Sequence, residues 1–162
     1  MRRIYMKLSI VFIIFLSMFL AGCASGPVFS PVTSIPTGKA LVYMYRTSSF
    51  VGSANSYKIW INDIHVTDMG NGGYYPYLAD PGELTFKMKV ITDILHFGGA
   101  HFLLEKEKPV LKIHVEAGKT YYVKHEWDSQ ATISNLAVMV LVDEETGSRE
   151  IVKCKKAKGY EN

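Results

Sequence analysis

From Lys39 onward the apolar side chains recur at every second position, and the 3.6-residue period of an amphipathic helix does not return convincingly anywhere. Alternation of this kind forces side chains to opposite faces of an extended strand. The chain therefore reads as nearly all β. In the run from Lys39 to Arg46, Leu41, Tyr43 and Tyr45 share one face while Val42 and Met44 share the other. Both faces are apolar, which predicts a central strand buried on both sides.

Turn chemistry divides the rest of the domain. Asn62-Asp63, two residues that tolerate positive φ, predict a tight hairpin between 57–62 and 64–67, with Ile61 opposite Ile64, Ile59 opposite Val66 and Trp60 opposite His65. Asp80-Pro81-Gly82-Glu83 carries proline and glycine at the centre of a type II turn and predicts a second hairpin pairing Ala79 with Leu84 and Tyr77 with Phe86. A third is expected across Ala117–Thr120, between 110–116 and 121–127. There a three-residue Gly118–Thr120 loop sets Ile113 against His125 and Val115 against Val123, keeping apolar faces together. The last hairpin is expected between 136–143 and 148–153, with Glu144-Glu145-Thr146-Gly147 as its turn. Roughly eight short strands at regular spacing predict a single small antiparallel β-sandwich over residues 39–153, interrupted by one long insertion from Ile91 to Pro109.

Ahead of this domain stand three cations, Arg2, Arg3 and Lys7, and then an uncharged apolar run from Leu8 to Leu20. At 1.5 Å per residue such a run covers about 20 Å, short of the roughly 30 Å hydrocarbon core of a bilayer. An n-region followed by an h-region predicts a cleavable export signal over residues 1–22. Leu20-Ala21-Gly22-Cys23 then resembles the lipobox of bacterial lipoproteins. That resemblance implies cleavage between Gly22 and Cys23, diacylglycerol on the Cys23 thiol and acylation, as with palmitate, of the new amino group. With Ala24 rather than aspartate after the cysteine, it implies the outer membrane, facing the periplasm or the outside. Residues 23–38 hold three prolines and five Ser/Thr with no period, and are expected to be the lipidated cysteine and a flexible tether. Residues 154–162 are expected to be a basic, solvated tail.

Removing residues 1–22 also removes three of the 18 basic residues and none of the 15 acidic ones, so the remaining domain is balanced in charge. A balanced domain lacks the surplus of Lys and Arg on which phosphate binding rests, which argues against nucleic acid as a partner. If Cys23 is lipidated, Cys154 has no internal disulfide partner. Its neighbours Lys153, Lys155 and Lys156 would favour the thiolate.

The segments Ala40–Arg46, Ser48–Ala54, Trp60–Asp63, Asp80–Gly82, Val115–Val123 and Leu141–Gly147 resemble a bacterial family known as domain of unknown function 2846. The hairpin and turn signals are also similar to PEGA and carboxypeptidase-regulatory-like sandwiches. The resemblance implies a binding or structural module and brings no catalytic residues. The residues themselves agree. His96 and His101 lack the helical context of a His-Glu-x-x-His metal site, and no Gly-x-Ser-x-Gly or Ser-x-x-Lys nucleophile is present. Asp143-Glu144-Glu145 lies where a charged turn is expected. No cofactor or metal is expected. The alternative reading is an envelope enzyme, a metal-dependent hydrolase or redox protein using His96, His101 or Cys154. Ten tyrosines supply the candidate binding surface for an envelope protein or glycan: strand parity places Trp60, Tyr74 and Tyr122 outward, and Phe97 and Phe102 belong to the insertion.

Overall fold

A computed structural model describes residues 24–50, 52–53, 55–91, 111–127 and 137–160. Strand β1 (Ala40–Tyr45) is buried at all six positions. Its even-numbered side chains Val42 and Met44 enter the main core, and Leu41, Tyr43 and Tyr45 enter a second core on the opposite side. A strand apolar on both faces is stable only as the middle of three layers, and that is the position it takes.

Among the described residues, eight further strands and one helix surround it: β2 (Ser56–Ile61), β3 (Ile64–Met69), β4 (Gly73–Ala79), β5 (Gly82–Ile91), β6 (Leu111–Val115), β7 (Thr120–Trp127), β8 (Ala137–Val142), α1 (Glu144–Ile151) and β9 (Lys155–Lys156). They form a five-stranded sheet in the order β8-β7-β1-β4-β9 and a four-stranded sheet in the order β3-β2-β5-β6. The fold is thus a β-sandwich, as the alternation predicts, but a mixed one and not purely antiparallel, since β1 pairs with β7 and β4 with β9 in parallel. Its main core contains Val42, Met44, Ile59, Phe86, Met88, Val115 and Val123 between the sheets. Among the described residues, no helix is long and apolar enough to cross a membrane.

The β2–β3 hairpin turns on Asn62 (φ 47°) and Asp63 (φ 66°), the two positive dihedrals of a tight hairpin turn. Ile61 pairs with Ile64 and Trp60 with His65, but Ile59 faces Thr67 rather than Val66 because the register shifts between Ile59 and Trp60. The shift buries the neighbours Val66 and Thr67 together, as a bulge does. The C-terminal segment uses this irregularity: Thr67 Oγ1 donates to Lys158 O at 2.8 Å, and Tyr160 N donates to Val66 O at 3.0 Å.

Two expected hairpins are instead crossings between sheets. Ala79 pairs with Ala40 in one sheet, and Gly82, at φ 134°, pairs with Val115 in the other. The loop from Glu116 to Lys119 crosses back, since β7 pairs in parallel with β1. Alternation cannot distinguish these outcomes, because a hairpin and a crossing both turn the same side chains inward. Ile113, Val115 and Val123 do meet, across the core instead of along a ladder.

The last expected hairpin is also overturned. β8 pairs with β7, and residues 144–151 are helical. Asp143 caps the helix, its Oδ1 accepting from Thr146 N at 2.8 Å, while Glu144 and Glu145 occupy the first turn, where carboxylates suit the helix dipole. Gly147 and Ile151, four residues apart, form the buried face. Together with Phe29, Val32 and Ile35, α1 closes the second core over Tyr43, Tyr45, Tyr74, Tyr122 and Cys154.

The segments expected as a free tether and a solvated tail are accordingly packed. Phe29 N donates to Cys154 O at 2.8 Å, Val32 N to Tyr43 Oη at 2.7 Å, and the Phe29 ring meets those of Tyr43 and Tyr74 edge-on at 5.4 and 5.0 Å. Cys154 and Ala157 are buried, and β9 adds to β4 in parallel. Proline-rich composition signals a lack of regular structure, and an irregular segment can still be pinned by its few apolar side chains.

Candidate functional site

The two sheets differ on their outer faces. That of the five-stranded sheet is covered by α1 and residues 28–35, whereas Lys58 and Trp60 of β2, His65 and Asp68 of β3, and Lys87 and Lys89 of β5 lie on the outer face of the other, which no helix or strand among the described residues covers. On this open face three rings form a strip. The centroids of Trp60 and His65 are 5.0 Å apart, and His65 stacks on Tyr160 at 4.4 Å. Asp68 ties the strip together: its Oδ1 lies 2.8 Å from His65 Nε2, and its Oδ2 accepts from Tyr160 Oη at 2.6 Å. The hydrogen bond to Asp68 is the main cause that raises the Tyr160 phenol above its ordinary value.

Cations frame the rings. Lys89 Nζ lies 5.8 Å from the Trp60 centroid and Lys158 Nζ 5.6 Å from that of Tyr160. Lys87 and Lys112 pair with Asp63 and Glu83 at 2.6 and 3.0 Å. A row of rings bearing polar edges, held by one shared carboxylate and bordered by ammonium groups, suits amphipathic contact with a sugar ring or a partner's side chain.

Of the described residues expected on the contact surface, only Trp60 is found on it. Tyr74 (3% exposed) and Tyr122 (7%) belong to the second core. Parity correctly turns them away from the main core, but the helix and the N-terminal segment cover the face they reach. Tyr122 stacks on Tyr43 at 5.5 Å. Gly22, Cys23, His96, Phe97, His101 and Phe102 lie outside the described residues. His114 is exposed and His125 buried on opposite faces, with the His125 ring 4.3 Å from Tyr57. Sequence reasoning missed Asp68 and Tyr160 as partners of the Trp60–His65 pair. No local pattern marks Tyr160, because its place depends on the chain returning to the bulged edge of β3.

Cys154 is not the activated thiol its lysine neighbours suggest. Its Sγ lies 3.6 Å from Arg46 O, and burial, aided by the negative charge of Glu150, pushes it up to about 11. Arg46, 1% exposed, is a structural cation: Nη1 and Nη2 donate to Asn55 O and Gly52 O, both at 2.7 Å, and the guanidinium stands 5.1 Å over the Tyr57 ring. Glu150 accepts from Tyr45 Oη at 2.8 Å and from Lys124 at 3.1 Å. Burial alone would raise its carboxyl, but these two donors, with the charge of Arg149, outweigh burial and hold it below its ordinary value. Among the described residues, no three His, Cys, Asp or Glu side chains are grouped to hold a metal ion. An open groove of about 380 Å³ runs between Val32, Pro76, Leu78 and Lys156.

No curated protein and no solved structure matches the chain significantly. A family model described as "Protein of unknown function (DUF2846)" matches residues 36–136, which reach from the approach to β1 to the residue before β8. With more than half of its length matched, the chain belongs to the DUF2846 family.

Proposed function

We propose that this protein is a lipid-anchored binding module of the bacterial envelope, without catalytic activity of its own, that engages an envelope glycan or protein through the strip of Trp60, His65 and Tyr160. The observation that carries the reading is the open, ring-bearing face of the four-stranded sheet, opposite a sheet whose outer face is used for packing. Rigid aromatic side chains lose little entropy on contact, so such a strip is suited to recognition. The anchor is read from Leu20–Cys23, and its test is direct: Cys23→Ser abolishes incorporation of a fatty-acid probe. The outer membrane is the proposed location.

The binding surface is tested by photo-crosslinking in cells from position 58, with position 145 on α1 as a control. Crosslinking from 58 alone, lost in the Trp60→Ala/Tyr160→Ala double variant, supports the reading. A tenfold loss corresponds to about 1.4 kcal/mol, within reach of two contact rings. Equal capture from both positions, or capture unaffected by the double variant, contradicts it.

A further inference from the structure

Ala24, the residue after Cys23, is hydrogen-bonded to the body of the domain. Ala24 N, the atom bonded to the carbonyl carbon of Cys23, donates to Asn71 O at 3.1 Å. Asn71 is buried, and its side chain grips the next loop in both directions: Ser49 N donates to Oδ1 and Nδ2 donates to Ser49 O, each at 3.0 Å. Beside Ser49 stands Phe50, 96% exposed, the most exposed of the large apolar side chains described. Lys155 joins the same end, its N donating to Gly72 O at 2.9 Å, with Lys153 and Lys156 exposed on either side.

Among the described residues, lysines are paired differently at the two ends of the sandwich. At the end holding the turns at 62–63, 80–83 and 116–119, Lys39, Lys87, Lys112 and Lys119 each pair with a carboxylate, at 2.6–3.0 Å. At the Ala24 end, the described residues of segments 24–27, 47–53, 70–73 and 152–156 include three lysines and no Asp or Glu, while segments 92–110 and 128–136, which leave from the same strand ends, lie outside the described residues. Among the described residues, no carboxylate pairs with those three lysines.

We infer that this end is a membrane-docking surface: Phe50 enters the interface of an anionic phospholipid bilayer while Lys153, Lys155 and Lys156 meet its headgroups, beside the acyl chains on Cys23. The inference rests on the lipid-anchor reading above. A tether of fifteen residues would let the domain tumble, whereas a chain pinned at Ala24 fixes which end faces the lipid. An exposed aromatic side chain and cations that pair with no carboxylate among the described residues are the two features that favour an anionic interface. The strands run away from this end, so the Trp60–Tyr160 strip lies along the flank and stays accessible.

The test uses the full chain, purified with its native processing and reconstituted in vesicles of phosphatidylglycerol and phosphatidylcholine. An environment-sensitive fluorophore is placed at Phe50→Cys or, at the opposite end, at Asp80→Cys; Cys154 is buried. The expected result is a blue-shifted probe at 50, quenched by lipid-borne nitroxide, and a water-exposed probe at 80. Lys153→Gln/Lys155→Gln/Lys156→Gln returns the probe at 50 toward water in the anionic vesicles, each lysine contributing about fivefold in surface affinity. If Cys23 carries acyl chains by mass spectrometry and both probes remain in water, the docking surface is refuted alone. An unmodified Cys23 overturns the anchor reading on which it rests.

Discussion

Gly147→Ala is a substitution whose sign separates local propensity from packing. Alanine in place of an interior helical glycine ordinarily gains about 1 kcal/mol. At position 147, however, a Cβ would lie 2.6 Å from Tyr122 Cδ1 and closer still to Cγ and Cβ, all fixed near the root of that side chain. Tyr122 cannot swing away, since it is 7% exposed and stacked on Tyr43 at 5.5 Å. α1 must therefore lift from the sheet or Tyr122 must leave its rotamer, a cost of about 1–3 kcal/mol for overpacking. Contacts this short with atoms at the root of a buried side chain put the cost at the upper end of that range, so the net expectation is a loss of about 2 kcal/mol, read as a lower urea midpoint at unchanged slope. Ser148→Ala on the exposed side of the same helix serves as the control and gains up to roughly 0.5 kcal/mol. A midpoint for Gly147→Ala at or above that of the wild type refutes the account of how α1 packs.

Arg46→Lys loses the fork that holds two carbonyls of the 47–55 loop, and unfolding measurements are expected to show a loss of about 2–3 kcal/mol with faster proteolysis in that loop; unchanged stability contradicts the assignment. Glu150 has its folded pKa held below its ordinary value, so its contribution is present above the ordinary value and is lost as pH falls through the folded one. Wild type and Glu150→Gln should therefore differ by about 1 kcal/mol near neutrality and converge as acid protonates the carboxyl, and a gap that acidification leaves unchanged argues against the pair with Lys124 and Tyr45. Cys154 should resist thiol reagents at mildly alkaline pH until the protein is unfolded; rapid labelling of the native protein contradicts its burial.

Much of the sandwich was legible because alternation reports which side chains turn inward. It marked β1 as two-sided and turned Leu84, Phe86, Ile113 and Val115 toward the core. It did not report which strand lies beside which: Asp80–Glu83 and Glu116–Lys119 have the composition of hairpin turns yet carry the chain between sheets, because β1 requires two neighbours and takes β4 and β7. α1 was hidden for a different reason. Thr146 and Gly147 are poor helix formers, and only Gly147 and Ile151 face inward, so eight residues show little period. The candidate surface was half legible. Trp60 opposite His65 follows from the turn at Asn62-Asp63, whereas Tyr160 reaches His65 only through a bulge and a returning C-terminus. Tyr74 and Tyr122 show the reverse failure, since parity turns them outward and cannot foresee that a helix covers them.

An anchored cysteine with a domain pinned directly behind it is tested most directly by mass spectrometry of the protein purified from bacterial membranes. The expected N-terminal peptide begins at Cys23 and carries a diacylglyceryl group on its thiol. A peptide that retains residues 1–22 with an unmodified Cys23 contradicts the anchor, and the membrane-facing end falls with it.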